Sequence, residues 1–325
     1  MKKWSFRRKF VIGLILILLG IYIYRTSTGY WGDNESRLSK NAILHLEVNG
    51  VILNGKKLLT TLKKYKTDSA IKAIVVDINS PGGAVGPSQE IYYELMRVKQ
   101  ETKKPIVCVS TNLIASGGYY VALACDKIVV APGTMLGSIG VIMEFANLEK
   151  LYDWAKIQRY SISSGRFKDS GSEYRPMRED ERLLFQGMID EVYEQFRNAV
   201  IEARQLPHET VAMYADGRVM TGAKAVELKF ADSIGTFEDA VKLAATEAGL
   251  GDDYKVFKPK KERTGFMDIF SLNDDVDDLN TLTDVQELMS GKAAISSGAA
   301  KEVIRTVLKT RYLNQPLYLM PGYWE

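Results

Sequence analysis

The central part of the chain alternates short apolar runs with stretches whose apolar residues recur at helical spacing. Continuous runs rich in β-branched residues predict buried strands at 42–52, 70–79 and 105–115. Apolar residues spaced three and four positions apart predict helices at 58–68 and 87–100 between those strands. Strands and helices that alternate at this pitch form parallel sheets with short connections, so the pattern predicts an α/β domain.

The same alternation continues more weakly to about residue 250. A long charged amphipathic helix is predicted at 178–203, and Thr221 is a candidate N-cap for a helix at 223–229. The remaining predicted elements are a helix at 117–126, two short strands within 127–145, a helix at 148–157, a strand at 158–165 and a helix at 237–249.

The N-terminus combines a basic cluster with an uncharged apolar stretch. Residues 1–9 carry five basic side chains and no acidic one, and residues 10–24 carry no charge. This stretch is shorter than the roughly 20 residues of a comfortable span, but aromatic side chains at its ends can extend it. A cleaved signal peptide is the alternative, although no small-x-small cleavage site follows. We expect one transmembrane anchor at 10–25 in the cell membrane, with residues 1–9 cytoplasmic and the catalytic domain extracytoplasmic.

The pattern divides the rest of the chain into three parts. Residues 26–40 are polar and predict a linker, and residues 41–257 predict the α/β domain. Residues 258–325 begin with opposite charge clusters, continue with two predicted helices and end in an apolar tail. The tail sequence PLYLMPGYWE resembles a ligand for a hydrophobic-peptide groove. We therefore consider two hypotheses, that it docks in an active site as self-product or inhibitor, or that it packs on a neighbouring subunit.

Composition limits the possible chemistry. The net charge of +3 is too small to indicate a nucleic-acid partner. Cys108 and Cys125 lie in apolar runs and are expected to be buried free thiols, although a disulfide stays possible in an exported domain. No Cys and His spacing typical of a metal site occurs, so neither a metal nor a cofactor is expected.

Two glycine-rich turns follow predicted strands. SPGG contains Gly83, and ASGGYY contains Ser116 and Gly117 at the start of a helix. Backbone N–H groups at a helix N-terminus favour negative charge, and glycines let a ligand approach the main chain. The pattern predicts a nucleophilic Ser116 with an oxyanion held by Gly83 and Gly117. Two plain tight turns, with Ser116 as an ordinary N-cap, would give the same local sequence.

A serine nucleophile needs a general base. The chain has only two histidines: His45 lies within a predicted strand and His208 lies far from the sheet edge, so a Ser-His-Asp triad is poorly supported. A lysine serves as a base when its pKa falls from about 10.4 towards about 7–8. Lys168, in a loop rich in glycine and serine, is one candidate among many lysines.

Several longer motifs resemble one known family. DINSPGGAV, ASGGYYVALACDKIVVAPGTMLGSIGVI, SGRFKDSGS and GRVMTGAKAVELKFADSIG appear in that order within residues 42–250. Together they resemble the signal peptide peptidase A family in its short, single-domain form. This is peptidase family S49 of the Clp-protease/crotonase superfamily. The resemblance implies an α/β fold of repeated ββα units with a parallel sheet.

The resemblance also implies roles for individual residues. Ser116 matches the nucleophile, Lys168 the general base, Gly83 and Gly117 the oxyanion hole, and Ser138 a supporting serine. It implies a serine endopeptidase that degrades residual signal peptides after their release from preproteins, with no cofactor. It further implies a homo-oligomeric ring in which adjacent subunits share each active site.

Two other functions suit the same fold. A non-catalytic membrane scaffold would form rings but show no peptide turnover and no labelling by a fluorophosphonate. A crotonase-type acyl-CoA enzyme would bind CoA thioesters, but ASGGYY lacks the acidic residue expected beside its oxyanion hole.

Overall fold

The computed structural model describes Gly20, residues 39–259 and residues 316–320. Within these residues the strands are β1 (Ala42–Asn49), β2 (Ile71–Asn79), β3 (Gly82–Ala84), β4 (Ile106–Ser110), β5 (Leu113–Ala115), β6 (Lys127–Val130), β7 (Met135–Gly137), β8 (Val219–Thr221), β9 (Ser233–Ile234), β10 (Lys255–Phe257) and β11 (Leu317–Leu319). The helices are α1 (Lys56–Tyr65), α2 (Val85–Thr102), α3 (Gly117–Ala122), α4 (Glu149–Trp154), α5 (Glu179–Arg204), α6 (His208–Tyr214), α7 (Gly222–Glu227) and α8 (Phe237–Glu247).

The main sheet has six strands in the order β10-β1-β2-β4-β6-β9. Every neighbouring pair in it is parallel, which confirms the predicted α/β architecture. Helix α8 covers one face, where Ala240 and Val241 pack on Val75, Val107 and other buried strand residues. The strands read as continuous apolar runs because both faces of a parallel sheet are buried.

Two smaller sheets stand where the strands of the main sheet end. The first joins β5, β7 and β8, and the second pairs β3 with β11. The apolar run at 105–115, predicted as one strand, is divided at residues 111–112: β4 belongs to the main sheet and β5 to the first small sheet. This division turns the chain so that Ser116 follows a short edge strand.

Most predicted helices are confirmed, and one predicted strand is wrong. The long helix is present as α5, and the Thr221 side chain accepts a hydrogen bond from Lys224 N at 3.3 Å, as expected of an N-cap. Residues 158–165 form no strand: the side chains there are exposed, and no strand in the described part of the chain pairs with them.

Several predictions fall on residues outside the described part. They are the anchor at 10–25 apart from Gly20, the linker up to residue 38, and the two helices predicted between residues 284 and 313. Among the described residues, no helix has the length and apolarity needed to cross a membrane.

The expectation of two free thiols is wrong, because Cys108 and Cys125 form a disulfide. Cys108 lies on β4, and the chain after α3 turns back beside that strand. Ile106 N donates to Asp126 Oδ2 at 2.9 Å, and Asp126 N donates to Ile106 O at 2.8 Å. These bonds bring Cys125 to a Cα–Cα distance of 5.8 Å from Cys108, within the range of a disulfide.

The disulfide is expected to stabilise the fold. It links residues 17 positions apart, and closing a loop of that size stabilises a protein by about 3 kcal/mol. Replacing both cysteines with alanine should lower the free energy of unfolding by about 3 kcal/mol, measured by denaturant titration of the full chain. Reductant should lower the free energy of unfolding of the wild type towards that of the variant. A wild-type free energy of unfolding that reductant does not change would contradict the prediction.

Candidate active site

Ser116 lies between β5 and α3 in a strained backbone conformation. Its φ of 50° and ψ of −119° suit the first central position of a II′ turn, which glycine usually occupies. Its N–H donates to Gly137 O at 2.8 Å, and its carbonyl accepts from Tyr120 N at 2.9 Å. The surrounding main chain therefore holds a conformation that serine alone would not prefer.

The Ser116 side chain is fully buried and makes no hydrogen bond. Ser116 occupies the N-cap position of α3, as the alternative reading of the sequence expects, but its side chain makes no capping hydrogen bond. An unsatisfied buried hydroxyl costs about 1–3 kcal/mol, and such groups in native structures call for a functional explanation. A hydroxyl without structural bonds is free to react.

The SPGG turn is shaped by Ser80 and Gly82. Ser80 Oγ donates to Gly50 O at 2.7 Å and accepts from Gly82 N at 3.1 Å. Gly82 has a φ of 96°, a backbone conformation that residues other than glycine rarely adopt. The turn therefore requires glycine at position 82, a residue to which the sequence alone gave no role.

Three groups converge on Gly82. A β-carbon placed there would lie 1.9 Å from Tyr318 O, 2.6 Å from Gly117 N and 3.0 Å from Ser116 Cβ. A glycine at this position thus allows a peptide carbonyl to lie beside both the nucleophile and the helix N-terminus.

The main-chain groups of Gly83 face the same space. The main-chain groups on either side of it bond to Ile52: Gly82 O accepts from Ile52 N, and Ala84 N donates to Ile52 O, each at 2.8 Å. Since successive groups of a strand point to opposite sides, the Gly83 N–H points away from Ile52. A β-carbon on Gly117 would lie 3.2 Å from Gly83 N. The structure thus brings together the two predicted oxyanion donors.

The C-terminal strand β11 lies in this space. It pairs antiparallel with β3, with Tyr318 opposite Gly83. On its other edge, Leu317 N donates to Ile142 O at 2.9 Å and Leu317 O accepts from Ile142 N at 3.1 Å. The segment is therefore hydrogen-bonded on both edges, as an extended peptide in a β-type binding groove would be.

The Tyr318 side chain fills an aromatic pocket. Its ring stacks on Tyr120 at 5.2 Å and packs against Phe196 at 4.8 Å, measured between ring centroids. Its Oη donates to Val192 O at 3.1 Å. Burial raises the pKa of the Tyr318 hydroxyl above its usual value. The pocket accepts a large apolar ring and satisfies one polar atom.

Ser138 repeats the local geometry of Ser116 on the neighbouring strand. It is buried, has a φ of 50°, and donates from its N–H to Arg218 O at 2.8 Å. It directly follows Gly137, whose carbonyl holds Ser116 N. Ser138 therefore lies next to the main-chain carbonyl that accepts from Ser116 N.

Lys168 lies in a segment of successive turns. Lys168 N donates to Gly165 O at 3.3 Å, and Ser170 N donates to Phe167 O at 3.2 Å. The lysine side chain is exposed, and Ser116 Oγ has no hydrogen-bond partner. A single chain therefore does not join the two residues of the predicted dyad by a hydrogen bond.

His45 belongs to a different part of the sheet. Its ring packs at a tilt against Phe237, and its Nε2 lies 3.8 Å from Asp77 Oδ2. Glu47 completes a group of potential metal ligands that the sequence spacing did not reveal. Lys258 Nζ lies 2.7 Å from Glu47 Oε1 and already supplies a cation to this group. We assign it neither to catalysis nor to a metal.

The arrangement around Ser116 suits attack on a peptide carbonyl. It offers a hydroxyl without competing bonds, two main-chain donors for the developing oxyanion, and a groove that presents an extended strand. Such donors act only if they are fixed before the reaction, and both lie here in ordered turns of the fold. The missing part is a proton acceptor for Ser116 Oγ within the described residues.

Comparisons with known proteins point to the same chemistry. A family model described as peptidase family S49 matches residues 98–251, which include Ser116, Ser138 and Lys168. A provisionally named protease of Synechocystis is 41% identical over 217 residues, which cover 66% of this chain and 77% of that protein.

Two further relatives carry more specific names. A protein of Enterococcus faecium, provisionally named signal peptide peptidase SppA, is 35% identical over 73% of this chain and 74% of its own length. The chloroplastic serine protease SPPA of Arabidopsis thaliana is 30% identical over 83% of this chain but only 39% of its own length.

Proposed function

This chain belongs to peptidase family S49, and from this premise we propose that it is a membrane-anchored serine endopeptidase. Ser116 and Lys168 would form its catalytic dyad, and its substrates would be residual signal peptides released from preproteins. The observation that carries the proposal is the Tyr318 carbonyl of β11, which lies beside Ser116 and both predicted oxyanion donors.

In the proposed reaction, Ser116 Oγ attacks a peptide carbonyl and transfers its proton to a neutral Lys168 amine. The C–N bond then breaks, and the proton passes from the lysine to the leaving amine. Gly83 and Gly117 hold the oxyanion, and each donor is worth about 3 kcal/mol of barrier stabilisation. Water then hydrolyses the acyl-enzyme and releases the second product.

Assembly of subunits supplies the missing contact in this proposal. On the segment that leads to Lys168, the side chains of Trp154, Tyr160 and Ile162 are 79%, 80% and 96% exposed. Apolar patches of this kind mark interaction surfaces. A second copy that covers this segment would exclude water from Lys168, favour its neutral form and bring it to a neighbouring Ser116.

A hydrophobic peptide is the substrate class that the groove favours. The main-chain bonds of β11 are independent of sequence, whereas the pocket of Tyr120 and Phe196 selects an apolar or aromatic side chain. An anchor at 10–25 would hold the domain at the membrane, where released signal peptides remain. The name of the Enterococcus faecium relative is consistent with this substrate.

A comparison of two peptides tests the substrate class. Full-length enzyme in detergent should cleave a synthetic signal peptide but leave a polar peptide of equal length uncut, with Ser116→Ala as the blank. Equal cleavage of both peptides, or no cleavage of either, would overturn the proposed specificity.

The C-terminal strand is expected to compete with substrates. A tethered segment acts at an effective concentration in the millimolar range, so deletion of residues 316–325 should raise peptide turnover about tenfold. Deletion of residues 321–325 alone keeps β11 and serves as the control, with activity near wild type. Equal rates for both truncated proteins and the wild type would show that β11 does not block the site.

A further inference from the structure

Glu181, in the first turn of α5, is a fully buried carboxylate. It accepts hydrogen bonds from Arg175 Nη2 at 2.6 Å and Arg175 Nη1 at 3.0 Å, and from Arg178 N at 2.9 Å. Arg178 Nη2 lies 2.7 Å from Glu181 Oε1. Charged groups are seldom buried so completely unless they are paired, as this one is.

The same two arginines hold the main chain on both sides of Lys168. Arg175 Nη2 donates to Asp169 O at 3.0 Å and lies 3.1 Å from Asp169 Oδ2. Arg178 Nη2 donates to Arg166 O at 2.7 Å. The residues directly after and two before Lys168 are therefore tied to one buried carboxylate.

Two other side-chain bonds support the segment near Lys168: Arg166 Nε donates to Asp180 Oδ2 at 2.7 Å, and Ser172 Oγ donates to Asp169 O. The turn bonds of this segment are long, at 3.2–3.3 Å, and the side chains at 158–168 are exposed. The first apolar contact after Lys168 is at Gly171, whose main chain lies close to the Phe145 ring. A lysine base must be held within a fraction of an ångström of its target, since a misplacement of about 1 Å costs roughly 100-fold in rate.

We propose that Arg175 and Glu181 are positioning residues, which fix the main chain of Lys168 for proton transfer from Ser116. The proposal rests on the proposed role of Lys168. Hydrogen bonds from Arg175 lower the pKa of Glu181 to about 2, so the carboxylate stays ionised at working pH. The planar guanidinium of Arg175 bridges two carboxylates and two carbonyls, a geometry that a lysine does not reproduce.

Kinetics and hydrogen exchange on full-length variants test this role. Arg175→Ala, Arg175→Lys and Glu181→Gln should each lower kcat by about 10- to 100-fold with KM nearly unchanged. Amides at 165–172 should exchange faster, while those of α8 keep their protection. Arg175→Lys and Glu181→Gln keep most of the side-chain volume, so they still allow the test if Arg175→Ala fails to fold.

Arg182→Ala is the matched control. Arg182 lies in the same helix and pairs with Glu179, away from the Lys168 segment, so its loss should leave both kcat and exchange unchanged. Faster exchange with a wild-type kcat, or a lower kcat with unchanged exchange, would overturn the positioning role. Full activity of Lys168→Ala would instead refute the proposed base, whatever the exchange result.

Discussion

Replacing Ser116 with alanine is expected to abolish peptide hydrolysis while the fold stays intact. Loss of a serine nucleophile costs about 10⁶-fold in kcat in a well-studied serine protease, so we expect a loss of at least 10⁴-fold. Because Ser116 Oγ makes no hydrogen bond, its removal breaks none and relieves an unsatisfied buried hydroxyl. The measurement is turnover of a signal peptide, with melting temperature recorded for each protein.

Ser110 provides a matched control for this variant. It is also fully buried, and its Oγ also lacks a hydrogen-bond partner, but it lies on β4 in the main sheet. Ser110→Ala should therefore keep wild-type turnover. A Ser116→Ala protein with substantial activity would refute the nucleophile, and equal losses in both variants would indicate a general structural effect.

Replacing Lys168 with alanine should lower turnover by roughly 10³-fold or more, because general-base catalysis is worth about 10²–10⁴-fold. Removal of an exposed side chain should leave stability unchanged. Lys150→Ala, an exposed lysine on α4, is the control and should keep full activity. Activity of Lys168→Ala at the control level would exclude Lys168 as the base.

A mixture of the two inactive variants tests whether subunits share the site. If Ser116 of one subunit uses Lys168 of its neighbour, mixed rings of Ser116→Ala and Lys168→Ala subunits regain about a quarter of their sites. Recovery near that level is expected after co-expression and isolation of mixed oligomers. Mixed oligomers without activity would show that both residues come from one chain.

The sequence predicted the two glycine-rich turns of the site better than it predicted the contacts that distant parts of the chain make with them. Ser116, Gly83 and Gly117 follow apolar runs, and parallel strands bring their carboxyl ends to one edge, so their proximity was predictable. The need for glycine at position 82 was not predictable, because it arises from a φ of 96° and from the approach of Tyr318 O, which lies more than 200 positions away in the chain. The docking of the tail was only one of two hypotheses, since local sequence does not define its register.

The errors have equally specific causes. Residues 158–165 were predicted as a strand, but a strand needs a neighbour to pair with, and no strand among the described residues pairs with them. Cys108 and Cys125 looked like core thiols because their apolar neighbours give no sign of the turn that follows α3. Contacts such as Arg175 with Glu181 depend on how a loop folds onto a helix, which residue spacing does not specify.

Covalent labelling of the active serine is the most direct test of the central claim that Ser116 is the nucleophile. A fluorophosphonate should react with the full-length enzyme, and it should react faster with the protein that lacks residues 316–325. Peptide mapping by mass spectrometry should locate the adduct. We expect one adduct per chain on Ser116, absent from Ser116→Ala. An adduct on another residue, or no adduct on an enzyme that cleaves peptides, would contradict it.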